Sequence, residues 1–169
     1  VRKKKVPVKM SAVSGMVEEI RIIKEPTEIK LMQKAAEITD ATFTAVEKKI
    51  KTGMTELQVA WELEKTFHEL GSEGLAFPSI VGSGPNGAMA HAKPSERKIE
   101  DGEPIVIDMG GIYNGYKNDI TRTICAGKPT SKLSKIYNIV LKAQQTAAKQ
   151  VRAGMSGKEA DSIARDIIK

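Results

Sequence analysis

Along residues 26–51 the apolar side chains Ile29, Met32, Ala36, Phe43, Val46 and Ile50 step by three and four positions, with Thr39 filling the remaining slot. That spacing predicts one face of a long helix. Pro26 fits the first helical position, and Glu28 places a carboxylate in the first turn, where the helix dipole favours it. Gly53 supplies the stop. Thr55 with Gln58 reads as a capping box opening a second helix, whose apolar face is Leu57, Ala60, Leu63, Phe67 and Leu70 and whose stop is Gly71. The two helices are expected to pack as a hairpin.

Residues 77–94 are rich in Gly, Pro and Ser and read as a loop. The period then changes. Residues 104–109 and 120–125 are short, apolar and β-branched, with Asn114-Gly115 between them, which predicts strand, turn, strand. From Ser131 a helical period returns through Leu133, Ile136, Val140, Ala143 and Ala147, stopping at Gly154. Ser156 and Glu159 then form another capping box ahead of Ile163 and Ile167. Gly53-Met54-Thr55 with Gln58 thus recurs as Gly154-Met155-Ser156 with Glu159, which reads as an internal repeat of a helix-hairpin unit whose second copy lacks its sheet.

A two-residue turn at Asn114-Gly115 sets Tyr113 opposite Tyr116, Gly110 opposite Asp119 and Asp108 opposite Thr121. Side chains alternate faces, so Asp108 and Asp119 fall on one face as diagonal neighbours, while Ile105, Ile107, Met109, Ile120 and Ile124 take the core face. Either aspartate alone would read as a turn cap or as an ion-pair partner of Lys117 or Arg122. Two carboxylates together repel unless a positive charge sits between them, and hard divalent cations prefer such oxygen ligands. Gly110 and Gly111 leave room for another backbone or a substrate to come close.

Composition narrows the chemistry. With 40% hydrophobic residues among 169 the chain can bury a core, and at 28% charged it has no apolar run near the ~20 residues that cross a bilayer. A soluble, cytoplasmic protein is the expectation. A single cysteine, Cys125, rules out an internal disulfide and a multi-cysteine zinc site and reads as packing, so any metal must sit on carboxylates and histidines. There are two histidines. His68 lies on the second helix and reads as a packed or solvated residue, whereas His91 lies in the polar loop, where an imidazole suits proton transfer or oxyanion stabilisation. The net charge of +6 comes mostly from Arg2, Lys3, Lys4, Lys5 and Lys9. Residues 1–16 are therefore expected to be a basic tail or interdomain remnant, with no specific nucleic-acid interface. Val1 in place of an initiating Met reads as processing or as an excised piece.

These residues carry a resemblance. Phe77-Pro78-Ser79-Ile80-Val81-Gly82-Ser83-Gly84-Pro85-Asn86, then His91, then Ile107-Asp108-Met109-Gly110-Gly111, then Asn118-Asp119-Ile120-Thr121-Arg122-Thr123, is similar to the pita-bread metallopeptidases of the Xaa-Pro dipeptidase and aminopeptidase P branch. Methionine aminopeptidases share the two aspartates at similar spacing. The resemblance runs from about Val17 to Lys169 and implies an α+β pita-bread fold. The chain would hold the first repeat of helices plus antiparallel sheet and the helical part of the second. It also implies a metallo-exopeptidase that cleaves peptides with proline at the second position. Asp108 would bind one metal and Asp119 would bridge two; His91 would act on the transition state, with Phe77 and His91 at the substrate. Manganese or cobalt is the metal implied, with zinc or iron as alternatives, and the active form implied is a homodimer. The family's remaining ligands, one histidine and two glutamates, have no counterpart in these 169 residues, so the chain alone is expected to be inactive or to bind metal weakly. The other reading is a pita-bread domain that binds peptides or proteins without catalysis. Such relatives lose metal ligands, so the presence of Asp108, Asp119 and His91 favours the enzyme.

Overall fold

The computed structural model describes residues 11–169, and the cations at positions 2–9 of the expected tail lie outside the described residues. Five α-helices and five strands follow one another along the described chain. Helix α1 (Met16–Ile22) precedes α2 (Pro26–Glu47) and α3 (Glu56–Glu69). The expected capping box of α3 is present, and α2 has one that was not expected. The Glu25 N–H donates to Glu28 Oε2 at 2.7 Å, and Thr55 and Gln58 exchange bonds of 2.9 and 3.2 Å. Helix α2 ends at Glu47, four residues before the expected end, where the Lys49 N–H turns back onto the Val46 carbonyl.

The α2 stripe that packs is also displaced from the expected one. Ala35, Ile38, Thr39, Thr42 and Val46 are buried, while Ile29 and Met32 are exposed. The reason is what α2 faces: its packing partners are α3 and the ribbon of residues 112–117, and Ile38 and Val46 are the α2 side chains that join the core. In α3 the interior takes Val59, Leu63 and Phe67, and Leu57 and Leu70 at the predicted edge stay exposed.

Strands β1 (Ile80–Ser83), β2 (Pro104–Met109) and β5 (Ile120–Cys125) form an antiparallel sheet in the order β1-β2-β5. The stretch expected to be loop throughout therefore contains a strand, pairing Ile80 with Asp108 and Ser83 with Ile105. Four residues diluted by Gly82 and Ser83 are too few to show a strand period. Gly82 has a packing reason: a Cβ there would stand 2.9 Å from the Asn86 carbonyl oxygen, because the chain folds straight back over β1 as a 3-10 turn, Gly84–Ala88.

Between β2 and β5 lies a two-stranded ribbon, β3 (Ile112–Tyr113) with β4 (Tyr116–Lys117). The Tyr113–Tyr116 and Asp108–Thr121 pairings match the expected register. Asn114 and Gly115 both have positive φ, 46° and 77°, as a tight hairpin turn with right-twisted strands requires. Gly110 and Asp119 are not paired, since the ladder breaks there into two sheets. The core beneath the sheet is Leu63, Phe67, Val81, Ile99, Ile105, Ile107 and Met109. Helices α4 (Ser131–Gln150) and α5 (Gly157–Ile168) pack on each other, joined through the expected Ser156–Glu159 capping box.

Candidate metal centre

Alternation along β2 sends Ile105, Ile107 and Met109 into the core and leaves Asp108 on the opposite, partly open face. There Asp108 Oδ1 accepts a hydrogen bond of 2.7 Å from the Thr121 hydroxyl across the strand pair. Asp119 enters just before β5 and faces Asp108. Burial pushes its carboxyl above the ordinary range, and the neighbouring charge of Asp108 and a side-chain hydrogen bond with it push the same way. The two carboxylates thus meet as the sequence pattern predicts.

The nearby cations do not neutralise them. Lys117 donates to the Ala76 carbonyl at 3.1 Å, and Arg122 donates to the Thr121 carbonyl and approaches Asp40 at 3.7 Å. Beside Asp119, the side-chain oxygen of Asn118 is buried without a hydrogen-bond partner among the described residues. Two facing carboxylates are hard donors that a divalent cation takes. The donor set fits such an ion. Among the described residues no group of three or more His, Cys, Asp and Glu side chains converges, so these donors would be a minority of a complete coordination shell.

The adjoining glycines serve the chain itself. A Cβ on Gly110 would collide with the Asn118 carbonyl and stand 3.1 Å from the Phe77 ring, while one on Gly111 would reach 2.9 Å from Phe67 and from Ser72 Oγ. At Gly110 it is another backbone that comes close, as expected, and at Gly111 it is the Phe67 ring and the Ser72 hydroxyl. Phe77 is thereby placed beside Gly110, between the two aspartates in sequence. His91 is exposed on the turn that follows the 3-10 segment, with Ala92 buried behind it, and His68 is exposed on α3. Cys125 is half-buried, and burial, then the charges of Asp101 and Glu103, raise its thiol above the ordinary range. The cavity of about 430 Å³ between β5 and α4, lined by Cys125, Leu133 and Tyr137, includes none of Phe77, His91, Asp108 or Asp119.

Sequence reasoning missed one charged group. Glu56, an ordinary first-turn acid by position, is fully buried. Its Oε1 accepts from the Ser83 N–H and hydroxyl at 2.8 Å each and from Asn86 Nδ2 at 3.0 Å; its Oε2 accepts from the Ser95 N–H at 3.1 Å and hydroxyl at 2.6 Å. Burial alone would raise its carboxyl, but the bonds from Ser95, Ser83 and Asn86 outweigh burial and hold it below the ordinary 4.5. Its stabilising contribution is therefore complete above pH 4.5 and is lost as pH falls through the lowered folded value. Melting curves against pH should show Glu56→Gln less stable than wild type by about 2 to 4 kcal/mol at pH 7. The gap should narrow below pH 4, and a gap independent of pH would contradict this ionised, bonded state. A signal for Glu56 did exist: Ser83, Asn86 and Ser95 are small polar residues in a Gly/Pro-rich stretch, but nothing local ties them to an acid 27 to 39 residues away.

Comparison with known proteins now bears on this geometry. A family model, that of metallopeptidase family M24, matches residues 30–169. A Xaa-Pro dipeptidase of Pyrococcus furiosus is 43% identical over 157 residues, covering 93% of this chain and 45% of that protein. Among solved structures, a Xaa-Pro dipeptidase from Bacillus anthracis superposes with a TM-score of 0.89 at 44% identity, over 92% of this chain and 44% of its own. An X-Pro aminopeptidase from Thermotoga maritima gives a TM-score of 0.89 at 40% identity, again over 92% of this chain and 44% of its own. The expected pita-bread architecture is thus present, and the chain spans somewhat under half the length of these relatives.

Proposed function

The chain belongs to metallopeptidase family M24, and on that premise we propose that residues 17–169 are part of the catalytic domain of a metal-dependent exopeptidase that hydrolyses the Xaa-Pro bond at the N-terminus of dipeptides or short peptides. The observation that carries the proposal is the meeting of Asp108, on β2, with Asp119, just before β5, while the neighbouring Lys117 and Arg122 among the described residues are engaged elsewhere. The proline preference is supported by the names of the relatives, Xaa-Pro dipeptidases and an X-Pro aminopeptidase.

In this reading Asp108 would hold one divalent cation and Asp119 would serve both that cation and a second; manganese or cobalt held by these residues would supply an activated water and electrostatic stabilisation of the charge that develops on the scissile carbonyl. Thr121 orients the Asp108 carboxylate toward Asp119's side of the strand pair through its 2.7 Å bond to Oδ1. His91 donates a hydrogen bond to the reacting peptide or passes a proton to the leaving nitrogen, which its exposed place on a turn allows. Phe77, half-buried against Gly110, gives the substrate an apolar wall. The remaining ligands of a two-cation centre come from outside the described residues, so the 169 residues alone are expected to bind cations weakly and turn over no substrate. The resemblance carries with it a homodimer and a cytoplasmic location; among the described residues no helix is long and apolar enough to cross a membrane.

The test is a dipeptide panel on protein spanning the full length of these relatives. Leu-Pro and Met-Pro should be cleaved with added manganese, Leu-Ala far more slowly, and a chelator should abolish cleavage with recovery on readdition. Cleavage that survives exhaustive chelation would overturn the proposal.

A further inference from the structure

We propose that Glu56 is a positioning residue for His91, acting through a buried hydrogen-bond network that holds both ends of the loop on which the imidazole stands. The inference rests on the role given to His91 above. Residues 83–95 leave the sheet at Ser83 and come back to the start of α3 at Ser95, whose carbonyl accepts the Leu57 N–H at 3.1 Å, and one carboxylate grips both points: Oε1 of Glu56 takes the Ser83 N–H and hydroxyl, and Oε2 takes those of Ser95. Asn86 Nδ2 lies within hydrogen-bond reach of both oxygens, at 3.0 and 3.2 Å. Arg97 extends the clamp, donating to Ser83 Oγ at 2.7 Å while its other nitrogen meets Glu103 Oε2 at 2.7 Å.

From Asn86 the constraint passes along the backbone to the histidine. The Asn86 carbonyl accepts the Met89 N–H at 3.0 Å, and the Met89 carbonyl accepts the Ala92 N–H at 3.1 Å. Ala90 and His91 are the two residues enclosed by that second turn, with Ala92 pinned in the interior at 4% exposure. The loop is also seated closely on β1 and β2: a Cβ on Gly82 would stand 2.9 Å from the Asn86 carbonyl oxygen, and one on Gly87 would stand 3.1 Å from the Gly82 carbonyl oxygen and 3.2 Å from Val106. An exposed side chain on a glycine-rich loop would ordinarily sample a wide arc. Here a buried acid removes that freedom before substrate arrives, which is how a reacting group is held within the small tolerance that catalysis needs.

The histidine count makes the test clean in this chain, since its two imidazoles are His91 and His68, and His68 stands at the far end of α3 from Glu56. Nitrogen-15 NMR of the imidazoles should show His91 shifted and broadened in Glu56→Gln and in Asn86→Ala, with His68 unchanged. Asn86→Ala leaves the Ser83 and Ser95 bonds in place, so it carries the test if Glu56→Gln does not fold. In the metal-loaded enzyme both variants should lower kcat by up to about 100-fold at unchanged metal content. Added to His91→Ala they should cost no more than a further factor of about two. Unaltered His91 signals in a folded variant, or losses that multiply in the His91→Ala background, would overturn the positioning role. Unchanged turnover in His91→Ala alone would instead remove the catalytic reading of His91, and the imidazole spectra would still decide whether Glu56 sets its position.

Discussion

Asp119→Ala is expected to strip the metal-loaded enzyme of bound cation and of Xaa-Pro cleavage together, with turnover falling by more than the roughly 100-fold typical of residues that only support a ligand. The physical argument begins with the apo pair. Asp119 faces Asp108 at close range, and burial together with the Asp108 charge raises its carboxyl above the ordinary range. Two anions so placed cost free energy that a divalent cation between them returns, so the pair binds metal more strongly than two separated aspartates would. Removing Asp119, the ligand proposed to serve both cations, leaves Asp108 alone. The same logic predicts that the metal-free variant melts no lower than the metal-free wild type, because the substitution relieves a repulsion at an exposed position. Elemental analysis for metal per chain and melting in chelator measure both halves, and a variant that keeps its full metal content would refute the ligand assignment.

The second large effect is expected at His91. Its side chain is exposed and the turn that carries it is anchored by Ala92 rather than by the imidazole, so His91→Ala should fold and retain metal as wild type does. General acid or base groups contribute about 100- to 10,000-fold, and the loss should appear equally in kcat and kcat/KM if the contact exists only in the transition state. Steady-state kinetics on Leu-Pro beside metal analysis separates the outcomes. Loss of metal would make His91 a ligand, and unchanged turnover would make it a bystander.

What could be read from the chain and what could not divides along local against distant causes. The register of β2 on β5 and the meeting of Asp108 with Asp119 follow from Asn114-Gly115, whose positive φ values fix the turn and hence the Tyr113–Tyr116 and Asp108–Thr121 pairings, although Gly110 and Asp119 drop out of the ladder between them. The capping boxes at Thr55 and Ser156 are equally local and form as expected. Strand β1 was hidden because its partner β2 lies more than twenty residues on and its own four positions carry no period. The packed stripe of α2 was misplaced toward Ile29 and Met32 because periodicity shows that a face exists, while the elements packed against it select which residues of that face are covered. Glu56 was invisible for the strongest version of this reason. A carboxylate at a helix start is favourable by itself, and only the chain's return at Ser83, Asn86 and Ser95 turns it into a buried hub.

The central claim is that Asp108 and Asp119 together hold divalent cation, and anomalous diffraction from crystals, grown with manganese, of protein spanning the full length of the relatives tests it most directly. The account predicts a manganese peak within about 2.0–2.3 Å of oxygens from both aspartates, since hard divalent ions bind carboxylate at such distances. Crystals with manganese present and no peak between these two side chains, or with the metal bound at other residues, would contradict it.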